Sequence, residues 1–550
     1  MSETRTAAVI FLLLAVASAT AQAVPPAVAS AERSIDAEKI RAHVRFLADD
    51  LLEGRGPGLR GSEVAAQYIA TQFALDGLQP AGDHGSYLQQ VKFVGVKAIP
   101  ASTTYSLVPA KGKPIKLTFA EDYTISNQQH NASADIDAPI VWVGYGATAP
   151  EFDWNDYAGV DVKGKVILCI VGDPPSDDPR FFAGKALTYY GRWTYKFEQA
   201  ARMGAVGALI IHRTDLASYG WDVVKNSNTG EKTYLADDAN PKLAGASWIQ
   251  LDVAKKIFAA SGMTLDDAFA AAGKRGFHAM ELPVRAKAHV QSEIRPFLSP
   301  NVIAKLPGRD ERSQAILYTA HYDHLGFNPA LEGDKIYNGA ADNGTGVGLL
   351  LELARAWSTL KIKPAHTVYF SSVTAEEQGL LGSEYLGQHP PLPAAQIALD
   401  LNFDMILPVG VPEEVNVNGA QKTTFYPTVQ STAKRFGLTI VGDPRPEAGS
   451  YYRSDHFSLS REGIPAFSID TGAKYEGHDL AWGVAQEKEY NDNRYHHVTD
   501  NYTADMDFRG NAKFARFAME LGWLAVSAPK TVEWKKGEEF EAARLKSEGK

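Results

Sequence analysis

Cysteine is almost absent from this chain of 550 residues, which contains a single one, Cys169. One cysteine cannot form an intramolecular disulfide. Cys169 lies in the apolar run KVILCIV, which predicts a buried strand and an inert thiol. The chain also contains no G-x-S-x-G sequence. Neither serine nor cysteine hydrolysis is therefore indicated.

Long apolar runs and an excess of basic charge are missing too. After residue 23, no apolar stretch is long enough to cross a bilayer. The net charge is −10, with both signs interspersed, which argues against a nucleic-acid or anionic-membrane partner. With 45% hydrophobic and 22% charged residues, the composition is ordinary for a folded soluble protein. The length predicts two to four domains.

The first 23 residues have the pattern of a secretory signal peptide. An arginine precedes an apolar stretch from Ala7 to Ala19, and small residues end in Ala21-Gln22-Ala23. The apolar stretch is short for a membrane span. The residue directly after Ala23 is valine rather than cysteine, so a lipid anchor is not expected there. We expect cleavage after Ala23 and an exported protein, either periplasmic or secreted.

The rest of the chain changes character at about residues 131 and 291. Two amphipathic helices open the segment 24–130, which then continues with short β-like stretches. Residues 131–290 contain short apolar strands bounded by glycine. In 291–528, apolar strands alternate with helices, which predicts an α/β fold: a doubly wound, mostly parallel sheet with helices on both faces. Residues 529–550 predict an exposed, charged helical tail.

Polar residues cluster where the strands of 291–528 end. In an open α/β sheet, chemistry gathers at the carboxyl ends of strands. Any one of these residues alone is weak evidence, because a single histidine or a single Asp before glycine is usually structural. The candidates, in chain order, are His321, Asp323, Asp342, Glu376, Glu377, Asp404, His496 and Asp500.

Imidazole and carboxylate together are the ligand types that suit zinc. Asp323 can accept the imidazole N–H of His321 that a metal does not use, and Asp500 can do the same for His496. Asp342 precedes the glycine-rich NGTGVG and can bridge two metals.

Glu376 and Glu377 stand side by side, which admits two interpretations. Acidic residues favour the first turn of a helix. Alternatively, one carboxylate binds a metal while its neighbour stays free as a general base. The other candidates favour the second interpretation.

The ordered motifs HYDH, NGAADNGTG, TAEEQGLLGS, NFDM and YHHVTD resemble those of the double-zinc aminopeptidase family. This family is related to bacterial leucyl aminopeptidases, glutamate carboxypeptidases, transferrin receptors and glutaminyl cyclases. The resemblance implies that 24–130 and 291–528 form a zinc peptidase domain. Residues 131–290 resemble the β-rich protease-associated domain that many members carry as an insertion. The implied substrate is a peptide.

The resemblance also implies a role for each site residue. Asp342 would bridge two zinc ions, which His321 with Asp404 and Glu377 with His496 would complete. Glu376 would be the general base, and Asp323 would orient His321. Two of these assignments have an alternative. Tyr451 matches a tyrosine that supports the tetrahedral intermediate in some members, but Tyr495 could serve instead. His497 is a rival ligand, although His496 fits the family's four-residue spacing to aspartate.

Other activities remain open on the same residues. A carboxypeptidase or dipeptidase would use the same metals with a basic pocket for the substrate carboxylate, which Arg453 could supply. A single-zinc glutaminyl cyclase would not need the full ligand set. A receptor-like binding protein would have lost ligands, and none is lost here. The resemblance further implies a cis peptide bond between Asp342 and Asn343, where the chain turns at once into a helix.

Overall fold

The computed structural model describes residues 24–217 and 219–550. The predicted signal peptide, residues 1–23, lies outside the described residues. Within the described ranges, no helix is both long enough and apolar enough to span a bilayer.

The α-helices of the described residues are, in chain order, Pro26–Arg33 (α1), Ala37–Leu47 (α2), Arg60–Leu75 (α3), Trp193–Arg202 (α4), Thr214–Ala217 (α5), Trp221–Thr229 (α6), Leu251–Ala260 (α7), Leu265–Ala272 (α8), Gly346–Ser358 (α9), Leu381–Gln388 (α10), Tyr426–Arg435 (α11), His456–Arg461 (α12), Leu480–Asn493 (α13), Arg509–Val526 (α14) and Glu541–Ser547 (α15).

The β-strands of the same ranges are Gln79–Pro80 (β1), Leu88–Ala98 (β2), Thr104–Pro109 (β3), Ile115–Leu117 (β4), Tyr123–Ser126 (β5), Ser133–Trp142 (β6), Thr148–Ala149 (β7), Trp154–Asn155 (β8), Val166–Ile170 (β9), Gly207–Ile211 (β10), Lys232–Leu235 (β11), Gly245–Ile249 (β12), Met280–Leu306 (β13), Ala315–His321 (β14), Gly326–Phe327 (β15), Ile336–Tyr337 (β16), Val368–Val373 (β17), Ile397–Phe403 (β18), Glu414–Asn416 (β19), Thr439–Val441 (β20) and Ala466–Thr471 (β21).

The first sheet has the strand order β11-β2-β13-β17-β14-β18-β21-β19-β20. Its centre, β17-β14-β18-β21, is parallel throughout. Parallel strands need crossover connections, and helices such as α9 and α12 provide them. The prediction of a mostly parallel α/β sheet is confirmed.

Alternating side chains explain why helices cover both faces of this sheet. On β14, Ile316 and Tyr318 enter the core that contains Leu350 of α9. Leu317, between them, enters a separate core with Leu459 of α12. Since successive side chains of a strand point to opposite faces, a strand that is apolar at every position needs a helical layer on each side.

The second sheet shares the long strand β13 with the first. Its order is β4-β3-β13-β6-β9-β10-β12-β5. The strands β3 to β5 pair here, so this sheet draws on residues from 104 onward as well as on the predicted insertion 131–290. Cys169 on β9 is fully buried, and burial raises the pKa of its thiol to about 12. This burial and raised pKa agree with the inert thiol that the sequence predicts. That 131–290 is a protease-associated domain stays a prediction.

The C-terminal segment differs from the expectation of an exposed tail. The helix α15 forms, but Trp534 and Phe540 before it are buried in an aromatic cluster. Arg544, within the helix, is 2% exposed and donates to the carbonyl oxygens of Ala394 and Ile397 at 2.8 and 3.0 Å. Its charged composition concealed that this segment packs against the body of the protein.

Candidate metal centre

Three adjacent parallel strands bring most of the candidate ligands to one edge of the first sheet. His321 is the last residue of β14, and Asp404 directly follows β18. Glu376 and Glu377 lie three and four positions after β17 ends at Val373. Because parallel strands end at the same edge, the fold gathers these side chains. Asp342 joins them from the loop before α9, and His496 from the loop after α13.

The ligand atoms form two groups that share Asp342. In the first group, His321 Nε2 lies 3.3 Å from Asp342 Oδ1 and 3.2 Å from Asp404 Oδ1. In the second, His496 Nε2 lies 3.4 Å from Asp342 Oδ2 and 3.0 Å from Glu377 Oε2. The two oxygens of Asp342 thus face different groups, which is the arrangement that a bridging carboxylate requires.

These distances fit zinc. Four ligands placed about 2.0–2.1 Å from a tetrahedral zinc ion lie about 3.3–3.4 Å from one another. The four distances of 3.0–3.4 Å match the edges of two such tetrahedra joined at Asp342. The donor set is imidazole and carboxylate, which zinc accepts.

The negative charges around the two imidazoles would also favour a bound cation in each ligand group. Burial lowers the pKa of His321, but the charges of Asp404 and Glu376 raise it well above its usual range. Burial likewise lowers the pKa of His496, but Glu377, Tyr495 and Asp342 together raise it well above its usual range. Buried carboxylates therefore attract protons onto both rings, and a metal ion at each group would take the place of those protons.

The adjacent glutamates are held in different ways. Glu377 is engaged at both oxygens, by His496 at 3.0 Å and by Nδ1 of His324 at 2.6 Å. The nearest imidazole nitrogen to Glu376, Nε2 of His321, is 4.0 Å away from its Oε2. Burial raises the pKa of Glu376 well above its usual range, and the charges of Glu377 and Asp404 add to this effect. Glu376 is therefore the carboxylate left free beside the two groups.

His324 is a site residue that sequence reasoning missed, although it closes the quoted motif HYDH. It is fully buried, and it could be counted as a ligand together with Asp342 and Glu377. Its distance of 2.6 Å to Glu377 Oε1 argues otherwise, since ligands of one zinc ion lie farther apart whereas a hydrogen bond to a carboxylate is this short. We interpret His324 as a donor that turns Oε2 of Glu377 toward His496.

Asp323 lies beside His321, but its backbone carbonyl rather than its carboxylate is within hydrogen-bond distance of the imidazole. Nδ1 of His321 is 3.2 Å from the carbonyl oxygen of Asp323 and 3.7 Å from its carboxylate. The same carboxylate accepts the backbone N–H of Glu376 at 3.1 Å. Asp323 therefore contacts both a predicted ligand and the predicted base.

Asp500 does not orient His496, contrary to the expectation. Its carboxylate accepts the backbone N–H groups of Ala341 and Asp342, each at 3.1 Å, and the hydroxyl of Tyr490 at 3.2 Å. The four-residue spacing to His496 therefore reflects a contact with the backbone that carries Asp342.

The bond between Asp342 and Asn343 is a cis peptide, as the resemblance implied. The side chain of Asn343 donates to the carbonyl oxygen of Phe403 at 2.8 Å and accepts the N–H of Gly346 at 3.0 Å. This turn leads directly into α9.

Tyr451 is not among the described residues that line the cavity at the metal centre. Its hydroxyl is hydrogen-bonded to Ser460 Oγ at 2.9 Å, and its ring packs in the aromatic cluster with Tyr452 and Phe540. The structure therefore turns Tyr451 away from the position that the resemblance implied. Tyr495, the rival, lines the cavity and stacks on His496 with ring centroids 3.9 Å apart. The rival ligand His497 is exposed.

The cavity has a volume of about 240 Å³ and opens beside the ligands. Besides the ligands, its lining includes the acids Asp443, Asp470 and Glu487, the arginines Arg445 and Arg453, and the aromatic residues Tyr475, Tyr490 and Tyr495. Arg453 is exposed.

Residues 187–198 belong to the part of the chain that forms the second sheet. They pack against a loop that forms one wall of this cavity. Leu187 N–H donates to the carbonyl oxygen of Pro446 at 3.0 Å. Glu198 pairs with Arg461 at 3.3 Å, and Tyr189 packs on Phe457 with ring centroids 5.0 Å apart. The partners of these contacts precede and follow Arg453 in the chain, so the segment 187–198 packs beside the part of the cavity wall that contains Arg453.

Comparisons with known proteins show which proteins this chain is similar to. Residues 301–521 match the family model described as "Peptidase family M28". The chain is 31% identical over 209 residues to "Leupeptin-inactivating enzyme 1" of Streptomyces exfoliatus, which covers 37% of this chain and 43% of that protein. It is 30% identical over 210 residues to "Leucine aminopeptidase 1" of Leptosphaeria maculans, covering 36% of this chain and 52% of that one. The chain thus spans about half the length of these relatives.

A solved structure shares the fold over almost the whole chain. It is described as "Aminopeptidase from Aneurinibacillus sp. strain AM-1", with a TM-score of 0.51 and 20% identity. The match covers 90% of this chain and 96% of that one.

Proposed function

Since residues 301–521 carry a peptidase family M28 domain, we propose that this protein is an exported zinc aminopeptidase that holds two Zn²⁺ ions and hydrolyses N-terminal peptide bonds. The observation that carries the proposal is the pair of ligand groups that share Asp342 and leave Glu376 free beside them. The name of the relative from Leptosphaeria maculans supports the aminopeptidase assignment.

We assign His321 and Asp404 to one zinc ion, Glu377 and His496 to the other, and Asp342 to both. When bound, zinc would supply Lewis-acid chemistry, polarising the scissile carbonyl and lowering the pKa of a water molecule.

The protein's own residues would move the proton. Glu376 takes a proton from the attacking water and later donates it to the leaving amine. Its raised pKa suits a group that must hold a proton between these two steps. Asp323 fixes the backbone of Glu376 and faces His321, so it positions the base relative to the first ligand group. We assign support of the developing oxyanion to the hydroxyl of Tyr495, because Tyr451 is turned toward Ser460.

A second candidate, a carboxypeptidase or dipeptidase, is favoured by one observation. The exposed Arg453 lines the cavity and could receive a substrate carboxylate.

Blocked peptides separate the two candidates. An aminopeptidase should cleave a free tripeptide and its C-terminally amidated form but spare the N-acetylated form. A carboxypeptidase should show the reverse preference, and a dipeptidase should need both free termini. The Glu376→Gln variant, purified in the same way, is the matched control for contaminating peptidases. A preparation of unaltered protein no more active than this variant would contradict a catalytic function.

Export belongs to the same proposal. Expression of the full chain in a bacterial host should yield periplasmic or secreted protein that begins at Val24, measured by intact mass.

We further propose that residues 131–290 restrict substrate size rather than perform chemistry, because the segment 187–198 packs beside the cavity. Longer peptides should therefore show a higher KM than tripeptides.

A further inference from the structure

A buried arginine lies directly behind the metal centre. Arg55 is 1% exposed and ends the short helical segment Asp50–Arg55. Its Nε donates to the carbonyl oxygen of Tyr322 at 2.7 Å. Nη1 donates to the carbonyl oxygen of Asn338 at 2.6 Å and to that of Leu47, and Nη2 donates to that of Gly339 at 3.0 Å. These hydrogen bonds go to backbone carbonyls, and none of them goes to a carboxylate of the described residues.

Three of the four carbonyls belong to the loops that carry His321 and Asp342, and the fourth, that of Leu47, ends α2. Tyr322 lies between His321 and Asp323, and Gly339 lies three residues before Asp342. The backbone of Arg55 completes the contact, since its own carbonyl oxygen accepts the N–H of His324 at 3.4 Å. One side chain therefore fixes the distance between two loops whose ligands must converge on shared metal ions.

The backbone around Arg55 leaves no room for another arrangement. Gly54 has φ of +68°, and a Cβ added there would lie 2.2 Å from the carbonyl oxygen of Gly326 and 2.6 Å from that of Tyr337. Arg55 itself has a positive φ of +52°, which is uncommon for a residue with a side chain. The segment is thus seated tightly against the same two loops.

The guanidinium also carries charge where the site has an excess of carboxylates. Burial lowers the pKa of Arg55 to about 10, while the charges of Asp323, Asp500 and Asp342 raise it. Arg55 therefore stays protonated at neutral pH. It offsets part of the repulsion among these carboxylates and is not among the described residues that line the cavity.

We propose that Arg55 is a positioning residue of the metal centre, which clamps the loops of His321 and Asp342 in register and places a fixed positive charge behind their carboxylates. This inference rests on the proposed zinc site. Lysine at this position would keep the charge but could not reach carbonyls on both loops, because it has one nitrogen where arginine has three.

The test is zinc affinity, measured for Arg55→Lys by competition with a chelator of known affinity. Groups that orient ligands usually contribute about 10- to 100-fold to metal affinity, so a loss of this size is expected. Arg544→Lys is the matched control, since Arg544 is also buried and also binds two backbone carbonyls, but in α15. It should retain the zinc affinity of the unaltered protein. Equal zinc affinity in the unaltered protein, Arg55→Lys and Arg544→Lys would overturn the positioning role but leave the proposed zinc site standing. An equal loss of zinc affinity in both variants would also overturn the positioning role.

A measurement on the unaltered protein covers the case in which Arg55→Lys does not fold. Hydrogen exchange should slow in peptides covering 47–56, 320–326 and 336–342 when zinc is added, because the clamp couples them. Zinc protection of the two loops without any change in 47–56 would overturn the proposal. An unaltered protein that binds no zinc would remove the proposed function together with this inference.

Discussion

The change of Glu376 to glutamine separates catalysis from metal binding. The amide keeps the size of the side chain but cannot accept a proton from water at neutral pH. A positioned general base contributes about 10²- to 10⁴-fold to a rate. We therefore expect kcat to fall by about 10² or more, which corresponds to about 2.7 kcal/mol or more of activation free energy.

The structure also predicts what this substitution leaves unchanged. Glu376 Oε2 is 4.0 Å from Nε2 of His321, beyond the 3.0–3.4 Å that join the atoms of the two ligand groups. Zinc content should therefore stay at about two ions per chain, as the two-group geometry requires. The backbone N–H of Glu376, which Asp323 accepts, is untouched by the change.

Glu377→Gln is the matched control, since it makes the same chemical change one residue later. Glu377 contacts His496 and His324 with opposite oxygens, and an amide can present an oxygen to only one of them. We expect zinc content to fall toward one ion per chain. The assay is kcat on a leucine anilide with metal analysis of the same dialysed samples. If Glu376→Gln loses zinc while Glu377→Gln keeps it, the two roles have been assigned backwards.

Four further tests address the rest of the site. His324→Leu should lower zinc affinity by about 10- to 100-fold, whereas His324→Asn, whose amide can replace the Nδ1 donor, should lose less; equal affinities would show that this hydrogen bond does not matter. Tyr495→Phe should lower kcat by about 10²-fold and Tyr451→Phe should leave it unchanged, and the reverse result would restore the role that Tyr451 has by resemblance. Chelation should abolish hydrolysis and zinc should restore it, so an active protein shown by metal analysis to be free of metal would end the metallopeptidase proposal. Arg453→Ala should leave the KM of a C-terminally amidated peptide unchanged, and it should raise the KM of the free peptide only if the carboxylate is recognised there.

The sheet edge could be predicted because two simple patterns coincide in the sequence. Apolar runs such as AILYTA and TVYFSSV are long enough for strands that are buried on both faces, and helical runs separate them. A parallel arrangement then places the following residues, His321 and Glu376 among them, at one edge. Burial and the ends of the strands follow from local periodicity, which is why this part of the site could be found from the sequence.

Side-chain direction could not be predicted in the same way. Tyr451 has a suitable place in the chain, but its orientation depends on Ser460 and on aromatic residues from the distant segment around Phe540. Asp500 has suitable spacing to His496, but the free backbone N–H groups of the loop before Asp342 take its carboxylate. Contacts between distant segments decide both cases, and spacing along the chain carries no information about them.

The residues behind the ligands explain how so many carboxylates can share one buried place. Asp323, Asp342, Glu376, Glu377 and Asp404 would repel one another if the fold offered no compensation. Arg55 supplies a charge from behind, and His324 supplies a donor to Glu377. These contacts hold backbone and side chains in place from outside the two ligand groups, whose atoms lie 3.3 and 3.4 Å from the oxygens of Asp342. The fold therefore supports the ligands from behind, and bound cations would offset the remaining charge of the carboxylates.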